Sequence, residues 1–433
     1  MANIKINFNE IKAKMKPEHG IGQPPAQGLD LSLFKTLKDA GIPFSRLHDM
    51  GFDFGGHIID IHCVFPNFDA NAYDPSSYDF TFSDIIITGL VEAGVEPYWR
   101  LGVTIENYAH IKAYNIFPPK DNAQWARICE GIIRHYTEGW ANGFYYNMTH
   151  WEIWNEPDNT NGEPVNPCWG GTMEQFFELY GVASKHLKKC FPSFKIGGYG
   201  SCGFYNITGS DGSFGMCSDQ THYFIEFMDK FLAYVKENEC PLDFFSWHSY
   251  DNEIENTRIY ARYAREKLDK AGFTYTETTC NEWNCRCNLR GSAKHAALTA
   301  AQMLMFQDEP LDSAAFYDAR VGRSVYGGMY NPLTKEPLLA YFAFTAFNRL
   351  YELENETVLS KDDDRIYAVS AAKDGRGVLV VSNPTDDDIP LVIDAPGAKA
   401  VECYFTNENG GDIKGDIPTA VKKDTVLTLV YSI

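Results

Sequence analysis

The chain has 433 residues, 44% hydrophobic and 14% aromatic, which gives a sizeable core and exceeds one compact sandwich; a large barrel with an accessory domain suits it. Its formal net charge of −20 comes from 58 acidic and 38 basic residues without a long single-sign block, so nucleic acid and anionic membranes are poor partners. The N-terminal MANIKINFNEIKAKMK alternates polar and apolar residues and lacks the apolar core of a signal peptide. No later stretch approaches the about 18 uninterrupted apolar residues of a membrane span, and a cytoplasmic protein is expected.

In chain order, strand-like runs fall at 19–23 (HGIGQ), 43–48 (PFSRLH), 95–101 (VEPYWRL), 150–155 (HWEIWN), 194–199 (FKIGGY), 243–249 (DFFSWHS), 274–281 (TYTETTCN) and 313–318 (SAAFYD). Amphipathic helical patterns lie between them at 31–41, 82–94, 122–140, 173–191, 221–239 and 255–273. This alternation predicts parallel strands joined by helical crossovers. Eight repeats over about 300 residues fit a (β/α)₈ TIM barrel better than an open doubly wound sheet, and no GxGxxG follows an early strand to suggest a nucleotide crevice. Segment 49–81, rich in Asp, Gly, Pro and aromatics, predicts a long loop over the strand C-termini, where barrels carry their chemistry.

After residue 360 short alternating runs are separated by DG, NP and GG signals, the texture of a small C-terminal β-sandwich. The NIKINF run is expected to add a strand to it. The division read from the chain is 1–14 as that strand, 15–355 as the barrel and 356–433 as the sandwich.

Two segments carry the chemistry. HWEIWNEPD at 150–158 and TETTCNEWN at 276–284 each end a strand-like run in an Asn-Glu pair beside a tryptophan. One such pair is an ordinary turn or helix start, because Asn caps a helix and Pro begins one. Two of them, Glu156 and Glu282, match the needs of glycosidic cleavage with retention: a protonated carboxyl group for the leaving oxygen and an ionised one for the anomeric carbon.

The pattern of Trp-Asn-Glu-Pro ending the fourth run, Glu-Trp-Asn ending the seventh, a histidine on the sixth and a C-terminal β-sandwich resembles the clan A glycoside hydrolases, and within them family 39, which contains β-xylosidases and α-L-iduronidases. The resemblance implies Glu156 as general acid/base and Glu282 as nucleophile. Glu156 then needs surroundings that raise its pKa, for which its neighbours Trp154 and Pro157 are candidates, and Glu282 needs a cation or donors. Arg46 is the candidate cation, on the same side of the second strand as His48; the bland alternative for Arg46 is an ion pair inside the barrel with Glu152. Asn155 is expected to bond the sugar hydroxyl next to the anomeric carbon, while His248 and Tyr250 share a face from which either reaches the nucleophile. Trp283, Trp99 and Trp169 are candidate stacking platforms, although a buried Trp is as often simply core.

Eleven cysteines suit reduced thiols better than a disulfide framework. Cys280, Cys285 and Cys287 bracket Glu282, but their C-x₄-C-x-C spacing lacks the C-x₂-C of a zinc knuckle, so neither metal nor cofactor is expected. A metal-dependent hydrolase on the same barrel would want His-x-His on the first strand, which offers His19 alone. A non-catalytic carbohydrate-binding barrel would keep the aromatics without needing both glutamates. The expectation is therefore a retaining exo-glycosidase acting on an oligosaccharide or glycoside, β-xyloside first, with arabinofuranosidase, galactofuranosidase or uronidase as alternatives. Pairing of two copies through the accessory domain or the barrel loops is left open.

Overall fold

A computed structural model describes residues 1–50, 57–106, 115–160, 166–322 and 324–433. Strand β1 (Ala2–Lys14) precedes a closed parallel barrel of eight strands: β2 (Gly20–Gly22), β3 (Phe44–Leu47), β4 (Glu96–Leu101), β5 (His150–Ile153), β6 (Lys195–Ser201), β7 (Phe244–Ser249), β8 (Glu277–Trp283) and β9 (Ser313–Tyr317). All eight expected runs form barrel strands. The helices are α1 (Phe34–Asp39), α2 (Ile61–Val64), α3 (Thr81–Glu92), α4 (Asn122–Glu138), α5 (Met173–Cys190), α6 (Ser218–Glu237), α7 (Ile254–Ala271), α8 (Ala293–Asp308) and α9 (Leu339–Tyr351). Their ends are set locally: Thr172 and Gln175 form a reciprocal capping box on α5, and α4 stops at Gly139, whose φ of 73° is open to glycine. Of the long segment 49–81, residues 51–56 lie outside the described residues; the rest carries α2 and turns. Among the described residues no helix is long and apolar enough to cross a membrane.

The pattern read from the sequence includes neither α8 nor α9; for α8 burial is the reason, whereas α9 carries an apolar stripe of Ala340, Ala343, Phe344, Phe347 and Leu350. Helix α8 is buried almost all round, from His295 to Gln307, so it shows no polar stripe from which a period is read. Its apolar residues share one core with Val369, Ala371, Val378, Val380 and Val426 of the C-terminal sheet. That sheet comprises β10 (Asn355–Lys361), β11 (Tyr367–Lys373), β12 (Arg376–Asn383), β13 (Ile389–Asp394), β14 (Lys399–Asn407), β15 (Gly410–Lys414), β16 (Ala420–Val421) and β17 (Thr425–Ser432). With β1 it runs in the order β15-β14-β17-β12-β11-β10-β1-β13-β16. Strand β1 pairs antiparallel with β10 and parallel with β13. The sheet folds on itself as a sandwich, because Ile4, Ile6 and Phe8 of β1 share a second core with Leu379, Val381, Leu427 and Leu429 from strands that do not adjoin it.

One barrel group stands out from this packing. Glu18, just before β2, is fully buried, and neither carboxyl oxygen has a hydrogen-bond partner. Burial pushes its pKa up to about 8, against the weaker pull of Lys16.

Candidate active site

The C-terminal ends of β3, β5, β7 and β8 converge on one cluster of charged groups. Arg46, fully buried on β3, is shared by three acceptors: its Nε donates to Glu152 Oε2, Nη1 to Glu282 Oε1 and Nη2 to Asn155 Oδ1, each at 2.6 Å. The two readings of Arg46 thus merge. It is an ion-pair partner of Glu152 and the cation on Glu282 at once. Burial alone would weaken its charge, but the carboxylates of Glu152 and Glu282 hold its pKa above the ordinary value. Glu152, also fully buried, accepts further bonds from Ser246 Oγ and Asn281 Nδ2, which satisfies a carboxylate that would otherwise be costly inside the barrel.

Glu282 lies between donors on both oxygens. Oε1 takes the bond from Arg46 and has His48 Nε2 at 3.5 Å; Oε2 accepts from the Tyr250 hydroxyl at 2.6 Å, with His248 Nδ1 at 3.5 Å. Tyr250 keeps its proton, since burial and the charge of Glu282 push its pKa well up. On the other side His48 Nδ1 accepts from Arg100 Nε at 3.2 Å, so its proton belongs on Nε2, the nitrogen 3.2 Å from Asp49 and facing Glu282. Arg100 is itself held by Asp60, which also takes two bonds from Thr104.

Glu156 follows β5 in a turn where its own φ is 47°, and its backbone N–H donates to Gly200 O at 3.0 Å. His248 Nδ1 lies 2.7 Å from its Oε1, and Asn159 Nδ2 lies 3.1 Å from Oε2. One carboxyl oxygen each of Glu156 and Glu282 and a His248 ring nitrogen lie within 4.8 Å of one another. The expected rise in the Glu156 pKa does not occur. Burial acts in that direction, but the hydrogen bond and charge of His248, joined by His48 and Asn159, outweigh it and hold the carboxyl below its ordinary value. Trp154 contributes nothing to the contrary, because its indole turns away to bond Cys168 O and packs against Trp125 and Trp169. His248 is displaced upward: burial lowers its pKa, and the charge of Glu282 with the bond to Glu156 raises it further.

The aromatic platforms are corrected. Trp283 is fully buried against Phe306 of α8 and Phe316 of β9, because neighbours in a strand face opposite ways and Glu282 faces inward. Trp99 packs on Tyr136 and Trp151, and Trp169 on Trp154 and Phe176; all three are core. Cys280, Cys285 and Cys287 are buried thiols, Cys287 pushed up to about 12 by burial. Several members of the cluster escaped the sequence reading: Glu152 as a hub, Ser246, Asn281, and Gly200. Gly200 has φ 65°, and a Cβ there would stand 3.1–3.2 Å from Asn155, Arg46 and His248, so glycine keeps the centre of the cluster open.

The family model for glycosyl hydrolases family 39 matches residues 40–272. A β-xylosidase of Geobacillus stearothermophilus is 23% identical over 346 residues, 71% of this chain and 62% of that protein. A β-xylosidase of Caldicellulosiruptor saccharolyticus is 28% identical over 231 residues, 51% of this chain and 39% of that protein. The chain thus spans less than two thirds of the length of these curated relatives. Among solved structures, a glucosidase from Croceicoccus marinus superposes with a TM-score of 0.78 at 20% identity, covering 100% of this chain and 99% of that one. A monomeric β-xylosidase from Caulobacter crescentus does so with 0.69 at 17%, covering 99% of each; both likenesses concern the fold. The family model spans more than half of the 433 residues, and the chain belongs to glycosyl hydrolases family 39.

Proposed function

We propose that the chain is a retaining exo-glycosidase that releases a terminal sugar, a β-xyloside first, by double displacement on Glu282 and Glu156. What carries this reading is that one carboxyl oxygen of Glu156 lies within 4.8 Å of one of Glu282. Retaining enzymes hold their carboxyl groups roughly 5–5.5 Å apart, whereas inverting ones leave roughly 6.5–9.5 Å for a water.

In the first step Glu282 attacks the anomeric carbon as its bond to the leaving oxygen breaks, and that oxygen takes a proton from Glu156. In the second, Glu156 removes a proton from water, whose oxygen attacks the same carbon and frees Glu282. In the resting pair that proton is shared between His248 Nδ1 and Glu156 Oε1. As Glu282 spends its charge on the sugar, the attraction that holds the proton on His248 weakens, and the proton becomes available to Glu156. Asn155 has its amide oxygen taken by Arg46, which leaves its NH₂ as a donor to the hydroxyl beside the reacting carbon. Restriction to a terminal sugar needs one end of the site closed; of the segment after β3, Asp60 reaches the site through Arg100 and His48, whereas Phe68, Ala70, Tyr78 and Phe80 lie against Gln124, Gly131 and His135 of α4.

The test is a panel of aryl glycosides of xylose, arabinofuranose, galactose, galactofuranose, glucuronate and fucose, followed by the 2-deoxy-2-fluoro glycoside of the best sugar. Labelling of the peptide that contains Glu282 is expected. Labelling of Glu277 or Cys280, or binding without turnover of any glycoside, overturns the reading.

A further inference from the structure

A cavity of about 430 Å³ is lined by Ser213, Phe214, Asn252, Arg286, Arg290 and Val325 among others. These residues follow β6, β7, β8 and β9. They therefore lie at the C-terminal mouth of the barrel, on the side of β6 to β9 and across the ring from β3. Tyr326 separates the cavity from the catalytic pair, with its ring 4.9 Å from Tyr250 and 5.4 Å from Phe214. Tyr250 in turn donates to Glu282. A substrate held at Glu282 that extends past this tyrosine pair enters the cavity.

The chemistry of the lining is unusual for a chain of net charge −20. Two guanidinium groups face the cavity. Arg286 is partly neutralised by Glu253 and bonds Asn252 O. Arg290 donates through Nη1 to the carbonyl oxygens of Ser324 and Tyr326 and has no carboxylate partner among the described residues. Its remaining N–H groups keep the planar fork that matches a carboxylate. Phe214 and Val325, 49% and 64% exposed, offer apolar edges against which a ring can lie.

The geometry points to an anion-binding subsite on the leaving-group side, in which Arg290, assisted by Arg286, receives a carboxylate carried by the aglycone. The inference rests on the glycosidase reading and names the class of substrate: a glycoside whose leaving group is acidic.

The experiment compares two aryl glycosides of the sugar the panel selects, with 4-carboxyphenyl and 4-carbamoylphenyl leaving groups. The purified enzyme and the Arg290→Gln and Arg286→Gln/Arg290→Gln variants are assayed at low and high salt. The quantity read is the ratio of kcat/KM, acid over amide. In the enzyme it is expected to exceed the ratio in the double variant by about tenfold, the size of one charge-assisted hydrogen bond, and to shrink with salt. An equal ratio in enzyme and variants overturns the subsite, and so does a preference for the acid that survives both substitutions. If neither glycoside of any sugar is hydrolysed, the proposed function fails separately. Calorimetric titration with the same pair then decides the cavity alone: tighter binding of the acid that is lost in Arg290→Gln upholds it, and equal binding overturns it.

Discussion

His248 Nδ1 and Glu156 Oε1 are 2.7 Å apart, with the imidazole displaced upward and the carboxyl downward in pKa. They hold one proton between them, and it titrates as a property of the pair. The alkaline limb of kcat/KM should report loss of that proton above the ordinary imidazole range. In His248→Asn the limb passes to Glu156 alone, a carboxyl group with a lower ordinary value, and should move down by about one pH unit or more. An unmoved limb in a folded, active variant would remove His248 from this role.

Glu156→Ala should slow hydrolysis of glycosides with poor leaving groups by about 10²-fold or more, and that of activated aryl glycosides much less, since only the former need the proton. Added azide should restore turnover and yield a glycosyl azide of retained configuration, detectable by NMR. Equal losses on both substrates without an azide product would count against the acid/base assignment.

Arg46→Met leaves Glu152 and Glu282 facing each other without their common cation. Denaturant unfolding should show a loss of about 3–5 kcal/mol, the usual cost of breaking a buried pair from one side. Arg46→Lys restores charge without the three-way fork, so it should recover stability in part while kcat stays depressed by about 10²-fold. Full kcat in the lysine variant would mean that charge alone suffices.

Much of this site was legible because the barrel turns strand ends into neighbours. Glu156, Glu282, Arg46, His48, Asn155, His248 and Tyr250 were each read from a strand terminus, and a closed parallel barrel carries all such termini to one face. The same geometry rules out Trp283 as a platform, for the residue next to an inward Glu282 faces outward. The pKa of Glu156 was not legible from its sequence neighbours, because the group that decides it, His248, comes from another strand. The sequence offers Glu152 only as a partner of Arg46, and nothing local marks a carboxylate that also takes bonds from Ser246 on β7 and Asn281 on β8.

Glu18 makes stability depend on pH in a defined direction. Its folded pKa of about 8 lies above the ordinary carboxylate value of 4.5, so folding favours the protonated form. The contribution is whole below pH 4.5, fades as pH rises towards 8 and is flat beyond, amounting to on the order of 5 kcal/mol in all. Glu18→Gln lacks this titration. Its melting temperature relative to the unmodified chain should climb between pH 5 and 8; a constant difference across that range would show that Glu18 ionises no differently in the folded state.

Strand β1 is translated before every element of the barrel, yet the partners on its two sides, β10 and β13, come after residue 354. During synthesis the barrel segments can therefore condense while Ile4, Ile6 and Phe8 still wait for the strands that cover them. The pairing of β1 is then a long-range closure, in which a later part of the chain captures an earlier one. Until that moment β1 is an unpaired apolar edge open to neighbouring chains, and a chain cut before β10 should aggregate even where all eight barrel strands are present.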